Sequence, residues 1–132
     1  MNYWIFKNFH DDQRTNLIEV WLAGLPIEDR VKIERRFAYV ATIKDKSAWK
    51  YPIARKLQGI KKGSNIWEIR INSDRVLYRP LGCFGSKEDE FTLLIGAIER
   101  GTGVFEPRRA IDIAVKRCKL IHQDRRYVGE YD

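Results

Sequence analysis

Four arginines lie on or beside three strand-like runs in the middle of this chain, at Arg70, Arg75, Arg79 and Arg100. The guanidinium group is planar, stays charged and can donate two parallel hydrogen bonds, which suits it to binding phosphate. Cations held on one face of a sheet also stabilise negative charge that develops on a reacting phosphate. The residue types and their recurrence therefore indicate a phosphate-binding surface.

Each arginine also has a structural interpretation, which the sequence leaves open. Arg70 shares a strand face with Glu68 and could pair with it. Arg75 follows Asp74 and could stabilise a turn, and Arg100 could simply lie at the surface. For any one arginine taken alone a structural role is the more common outcome, and only their joint placement favours a functional surface.

Other kinds of site find little support in the sequence. His10 and His122 are the only histidines, too few for a histidine-based metal cluster. Cys83 and Cys118 are too few for a disulfide framework and lack metal-ligand spacing, so we expect two reduced thiols, with Cys83 in a loop. No complete glycine-rich phosphate loop is present. We therefore expect neither a metal nor a cofactor.

Positive charge is concentrated in the second half of the chain. The protein has 132 residues and a formal net charge of +7. Residues 50–79 contain eight Lys or Arg and two acidic residues, and residues 100–126 contain eight and three. Such stretches indicate a polyanionic partner, either nucleic acid or an acidic protein segment, although a solvated surface is equally consistent with them.

A predicted antiparallel meander positions the arginines. Residues 66–72 alternate between polar and apolar side chains, as in a half-buried strand. A turn at residues 72–74 leads into a strand at 76–78, and residues 91–98 are almost continuously apolar, as in a central strand covered on both faces. We expect the inward side chains of this arrangement to be buried, namely Trp67, Ile69, Ile71, Leu94 and Val115.

The remaining sequence completes a single α+β domain over residues 1–122, followed by a polar tail at 123–132 that is expected to fray. The other predicted elements are a strand at residues 2–6, a helical hairpin at 15–23 and 26–42, a short helix at 52–57 and a helix that begins at Pro107. We expect four strands in one twisted, mainly antiparallel sheet. The N-terminal helical hairpin and the C-terminal helix should share one face, and the arginines should occupy the other.

Three segments resemble, in order and spacing, the motifs of a known family. They read IWEIRINSDRVLYRP at residues 66–80, FTLLIGAIER at 91–100 and EPRRAIDIAVKR at 106–117. The chain resembles the RelE/ParE toxin superfamily and looks closest to the phage-associated, HigB-like branch of type II toxin–antitoxin systems. The resemblance covers residues 56–117 and implies a RelE-like compact domain.

The resemblance implies an mRNA interferase, a metal-independent endoribonuclease that cuts mRNA within the ribosome. In that chemistry the RNA 2′-hydroxyl attacks the adjacent phosphate, and cations stabilise the charge of the pentacovalent phosphorane. The family motifs imply catalytic roles for Arg70, Arg75 and Arg100. RNA binding is implied for Lys61, Lys62, Arg79 and Arg108.

Three departures from the family pattern keep other functions open, one of them an unusual connection at residues 101–106. Residues 96–100 read GAIER where HigB-like members often place a histidine and a lysine pair. Phe105 stands near the position of a catalytic tyrosine in the RelE branch. The alternatives are a ParE-like toxin that inhibits DNA gyrase and a catalytically inactive binding module of the same fold.

The resemblance also implies partners, namely mRNA on the ribosome and a cognate antitoxin that is a small helix-turn-helix protein. The chain would then be a monomer or part of a toxin–antitoxin hetero-oligomer. No apolar run approaches the length of a membrane span, and the N-terminal sequence lacks the pattern of a signal peptide. We therefore expect a cytoplasmic protein without a membrane partner.

Overall fold

The computed structural model describes residues 2–60 and 65–131. Within them the helices are α1 (Leu17–Ala23), α2 (Ile27–Ala41) and α3 (Ala110–Gln123). The strands are β1 (Ile5–Phe9), β2 (Ala54–Lys56), β3 (Trp67–Ile69), β4 (Ile71–Ser73), β5 (Val76–Tyr78), β6 (Leu81–Phe84), β7 (Glu90–Ile95), β8 (Ile98–Gly101), β9 (Val104–Glu106) and β10 (Val128–Glu130). This composition confirms the α+β class, and no helix among the described residues is both long and apolar enough to cross a membrane.

The strands form two sheets, which corrects the prediction of one four-stranded sheet. One sheet has six strands in the order β10-β1-β7-β6-β3-β2, and the other has four in the order β4-β5-β8-β9. Among the described strands, β1 and β7 pair in parallel, whereas the meander strands β3, β6 and β7 pair antiparallel. Each long strand predicted from the sequence is interrupted, and its two halves belong to different sheets.

Two of the three interruptions contain a residue that disfavours a continuous strand ladder. Arg70 separates β3 from β4, Arg79 and Pro80 separate β5 from β6, and Gly96 and Ala97 separate β7 from β8. Pro80 has no backbone N–H to donate to a neighbouring strand. A Cβ atom at Gly96 would lie 1.9 Å from Cδ2 of Trp21, so the close approach of α1 requires glycine there.

Helices cover both faces of the six-stranded sheet, which corrects the prediction that they share one face. Ile18 of α1 and Phe37 of α2 are buried in one core together with Phe91. Ala114 of α3 is buried in a second core together with Leu94. Phe91 and Leu94 both belong to β7, and because this strand is buried on both of its faces, both must be covered.

Burial along the meander confirms most of the predicted core. Ile69, Ile71 and Leu94 are buried, whereas Trp67 and Val115 are half-buried. The prediction of a half-buried strand at residues 66–72 is wrong, because Ile66 and Glu68 are buried as well. Residues 52–57, predicted as a helix, instead form a turn followed by β2, which pairs antiparallel with β3. The first strand begins at Ile5, three residues after its predicted start.

The C-terminal segment is part of the sheet, which corrects the expectation that residues 123–132 fray. A 3-10 turn at Arg125–Tyr127 leads into β10, which pairs antiparallel with β1. The ring of Tyr127 stacks on that of Phe9, with centroids 5.8 Å apart. Nη1 of Arg125 donates to Oε1 of Glu90 at 2.6 Å, which ties the segment to the start of β7.

The Glu90–Arg125 pair should make the stability of the fold depend on acidic pH. The hydrogen bond from Arg125 lowers the pKa of Glu90 against the opposing effect of burial. A carboxyl group whose pKa is lowered by folding stabilises the protein at pH values above its ordinary pKa of about 4.3. This contribution is lost as the pH falls through the lower pKa of the folded state. We expect the free energy of unfolding of Glu90→Gln, measured with urea, to decline less on acidification than that of the wild type. Parallel declines in the two proteins would contradict this role.

Candidate functional site

Two of the sheet interruptions bring arginines to one junction. The backbone N–H of Arg70, between β3 and β4, donates to the carbonyl of Ile53 at 2.9 Å. The backbone N–H of Arg79, after β5, donates to the carbonyl of Ala97 at 2.8 Å. These bonds fix the backbone where the meander passes from one sheet to the other, and the arginine side chains start from that fixed point.

A cavity of about 460 Å³ lies at this junction. Its lining consists of Tyr51, Arg55, Arg70, Leu77, Arg79, Glu99, Arg100, Gly101 and Thr102. We refer to it as the arginine cavity. Four guanidinium groups around one concave site provide the directed donors that a phosphate group needs.

Arg55 and Arg70 share a buried carboxylate. Nε of Arg55 donates to Oε2 of Glu68 at 2.7 Å, and Nη1 of Arg70 donates to the same oxygen. Glu68 is fully buried, and a buried carboxylate is retained only when cations or donors compensate for its lost hydration. The pairing that the sequence left open for Arg70 and Glu68 is therefore present, and it holds Arg70 at the cavity wall.

Arg79 is the most enclosed arginine of the cavity. Its side chain is 1% exposed, and its Nε donates to Oε1 of Glu99 at 3.0 Å. Nη1 donates to the carbonyl of Tyr78 at 2.9 Å and to Oδ1 of Asn72 at 3.1 Å. Burial lowers the pKa of Arg79 below its ordinary value. Although burial raises the pKa of Glu99, the N–H of Gly103 and the charge of Arg79 outweigh it, so the pKa of Glu99 is lowered and its carboxylate stays ionised.

Arg100 presents its guanidinium group much more openly. Its side chain is 55% exposed, and its Nε donates to Oε2 of Glu106 at 2.8 Å. The exposed side chain of Arg75 lies at the turn between β4 and β5 and does not line the arginine cavity. Of the three arginines predicted to be catalytic, the structure brings Arg70 and Arg100 to one cavity and leaves Arg75 outside it.

The residues predicted to bind RNA are distributed over different places. Arg79 lines the arginine cavity but is enclosed by its own hydrogen bonds. Arg108 lines a separate cavity of about 680 Å³ beside α3. Lys61 and Lys62 lie outside the described residues.

Sequence reasoning missed Tyr51 and Arg55, which reach the cavity from the segment around β2. The ring of Tyr51 is exposed, and the guanidinium carbon of Arg70 lies 4.8 Å from its centroid in a cation–π contact. Phe105, which the sequence resemblance aligns near a catalytic tyrosine, is buried in the second core. The phenol that lines this cavity is that of Tyr51. The basic character of residues 50–56 was the available signal, but the predicted helix there placed no side chain beside the meander.

A second group of reactive side chains lies away from the arginine cavity. Cys83 is buried on β6, which corrects its predicted position in a loop. The ligand atoms of Cys83, Cys118 and His122 all lie within 4.8 Å of one another. Two sulfurs and one nitrogen make a donor set suited to a soft divalent metal ion.

Comparison of the chain with protein-family models, with curated proteins and with solved structures found no match. What the fold and site define is an α+β protein with an arginine-lined cavity at the junction of two sheets. Arg55 and Arg100, with side chains 47% and 55% exposed, are accessible to an incoming anion. Arg70 and Arg79 are more enclosed and form the inner part of the cavity.

Proposed function

We propose that this protein is the toxin of a type II toxin–antitoxin system, a metal-independent endoribonuclease that cleaves mRNA on the ribosome. The observation that carries the proposal is the convergence of four arginines on one cavity at the sheet junction. The motifs that resemble RelE-like toxins run through the strands that build this cavity, which supports the same assignment.

The cavity arginines would act by electrostatics. Attack of the 2′-hydroxyl on the adjacent phosphate forms a new O–P bond and breaks the bond to the 5′ oxygen, while the hydroxyl gives its proton to water and the departing 5′ oxygen takes one from water. The reaction passes through a phosphorane with added negative charge. Arg55 and Arg100 would contact the phosphate oxygens directly, and Arg70 would add its charge from the inner wall. The exposed ring of Tyr51 offers a surface on which an RNA base can stack.

One observation favours a second candidate, a toxin-fold module that binds without cleaving. The cavity arginines already have carboxylate partners, namely Glu68 for Arg55 and Arg70, Glu99 for Arg79, and Glu106 for Arg100. A phosphate must compete with these carboxylates for the guanidinium groups, which lowers the charge available to stabilise a transition state. Such a module would bind an acidic antitoxin segment or RNA with strong salt dependence.

Induced expression with primer extension on a translated message tests the proposal. We expect growth to slow and new 5′ ends to appear within the translated region, and co-expression of an adjacent helix-turn-helix gene to restore growth. DNA damage with intact message would instead indicate the gyrase-inhibiting alternative. Soluble protein that causes neither effect, but binds single-stranded RNA or the adjacent gene product in a salt-dependent manner, would favour the binding module and refute the nuclease.

A further inference from the structure

Two cysteines and a histidine meet where α3 covers the six-stranded sheet. Cys83 lies on β6, and Cys118 and His122 lie one turn apart on α3. Residues four positions apart on a helix are neighbours on one face, so the two helical side chains can act on the same ligand. All three ligand atoms lie within 4.8 Å of one another, although Cys83 is separated from Cys118 by the whole of β7, β8 and β9.

The cluster borders a cavity of about 660 Å³, so a bound ion would have room for a further ligand. Lys46 and Lys56 line the same cavity. This cavity shares no lining residue with the arginine cavity, so an ion here would not touch the groups proposed to bind RNA.

The thiolate is the form of cysteine that coordinates a metal ion, so each thiol releases its proton when the ion binds.

We propose that Cys83, Cys118 and His122 bind one Zn²⁺ ion, with the fourth coordination position open to the cavity. Binding forms two Zn–S bonds and one Zn–N bond and releases the thiol protons to solvent, without oxidation. With Zn–S near 2.3 Å and Zn–N near 2.0 Å, neighbouring ligand atoms of a tetrahedral site are about 3.5–3.8 Å apart. Sγ of Cys118 and Nδ1 of His122 are 3.8 Å apart, and the remaining separations must close by at most about 1.3 Å.

One local rearrangement accompanies binding. Nδ1 of His122 lies 2.7 Å from the backbone carbonyl oxygen of Cys118, so the imidazole gives up a hydrogen bond to this oxygen when Nδ1 coordinates the ion. His122 is exposed, which allows its ring to turn. The fourth ligand is then water or a small anion, and the lysines of the cavity favour the anion.

Cobalt(II) titration of the reduced, full-length protein tests the site. We expect one equivalent to bind and to produce a thiolate-to-cobalt charge-transfer band, which Zn²⁺ then removes by displacement. Cys118→Ser, a change at a partly exposed helix position, should abolish most of the band. The circular dichroism spectrum of this variant should match that of the wild type, as expected of a folded protein.

His122→Ala and His10→Ala provide a matched pair of histidine variants. His122→Ala should keep the thiolate-to-cobalt charge-transfer band but lower the affinity for cobalt(II) by at least about 10-fold. Loss of a residue that only supports a metal ligand usually costs at least this much. His10→Ala should bind like the wild type, because His10 lies outside the cluster. Absence of the band in the reduced wild type, or a band that is unchanged in Cys118→Ser, would refute the metal site without affecting the proposed nuclease function.

Discussion

Replacing Arg100 with alanine should lower the rate of mRNA cleavage by about 10²–10³-fold, the usual cost of losing one donor that stabilises a transition state. Among the cavity arginines, Arg100 is the one whose removal disturbs the fold least, because its pair with Glu106 is exposed on both sides. Cleavage is measured by primer extension at several times after purified protein is added to a translation reaction. The urea-unfolding midpoint of the variant should match that of the wild type.

Arg75→Ala is the matched control and separates the sequence interpretation from the structural one. The resemblance to RelE-like toxins implies a catalytic role for Arg75, whereas the structure leaves it outside the arginine cavity. We expect this variant to cleave at nearly the wild-type rate. If Arg75→Ala lost cleavage while Arg100→Ala kept it, the active site would not be the arginine cavity.

The strands of the meander were predictable because their signals are local. Ile69, Ile71 and Leu94 stand at positions that alternation and an apolar run identify as core, and all three are buried. The division into two sheets was less apparent, although Pro80 marks one interruption in the sequence itself. Gly96 marks another, but its significance depends on Trp21 of α1, a contact that sequence periodicity does not reveal.

The parts of the site that the sequence did not predict depend on contacts between distant segments. Glu68 reads as a solvent-facing residue of an alternating strand, yet it is buried, and the neighbouring strand β2 supplies Arg55 as its partner. Cys83 and Cys118 have no metal-ligand spacing, but packing of α3 against β6 brings their sulfurs together. In each case a tertiary partner that the local pattern does not reveal decides where the side chain lies and what it contacts.

Arg79→Ala should lower the free energy of unfolding by about 3–5 kcal/mol, the range found when one partner of a buried ion pair is removed. The side chain of Arg79 is 1% exposed, and that of its partner Glu99 is 9% exposed. Removal of the guanidinium group leaves an ionised carboxylate in the interior and takes one donor away from the backbone carbonyls of Ile71 and Tyr78. Urea denaturation of the purified variant gives the value directly.

A double-mutant cycle with Glu99→Gln then distinguishes a structural Arg79 from one that binds phosphate. If Arg79 stabilises the fold through Glu99, the combination of Arg79→Met with Glu99→Gln should be less destabilising than the sum of the single changes, because no unpaired charge remains. The double variant should also retain part of its cleavage activity, since Arg55 and Arg100 still line the cavity. Arg79→Ala could instead lower the free energy of unfolding by less than about 1 kcal/mol, well below the expected range, and abolish cleavage completely. That result would make Arg79 a direct phosphate ligand.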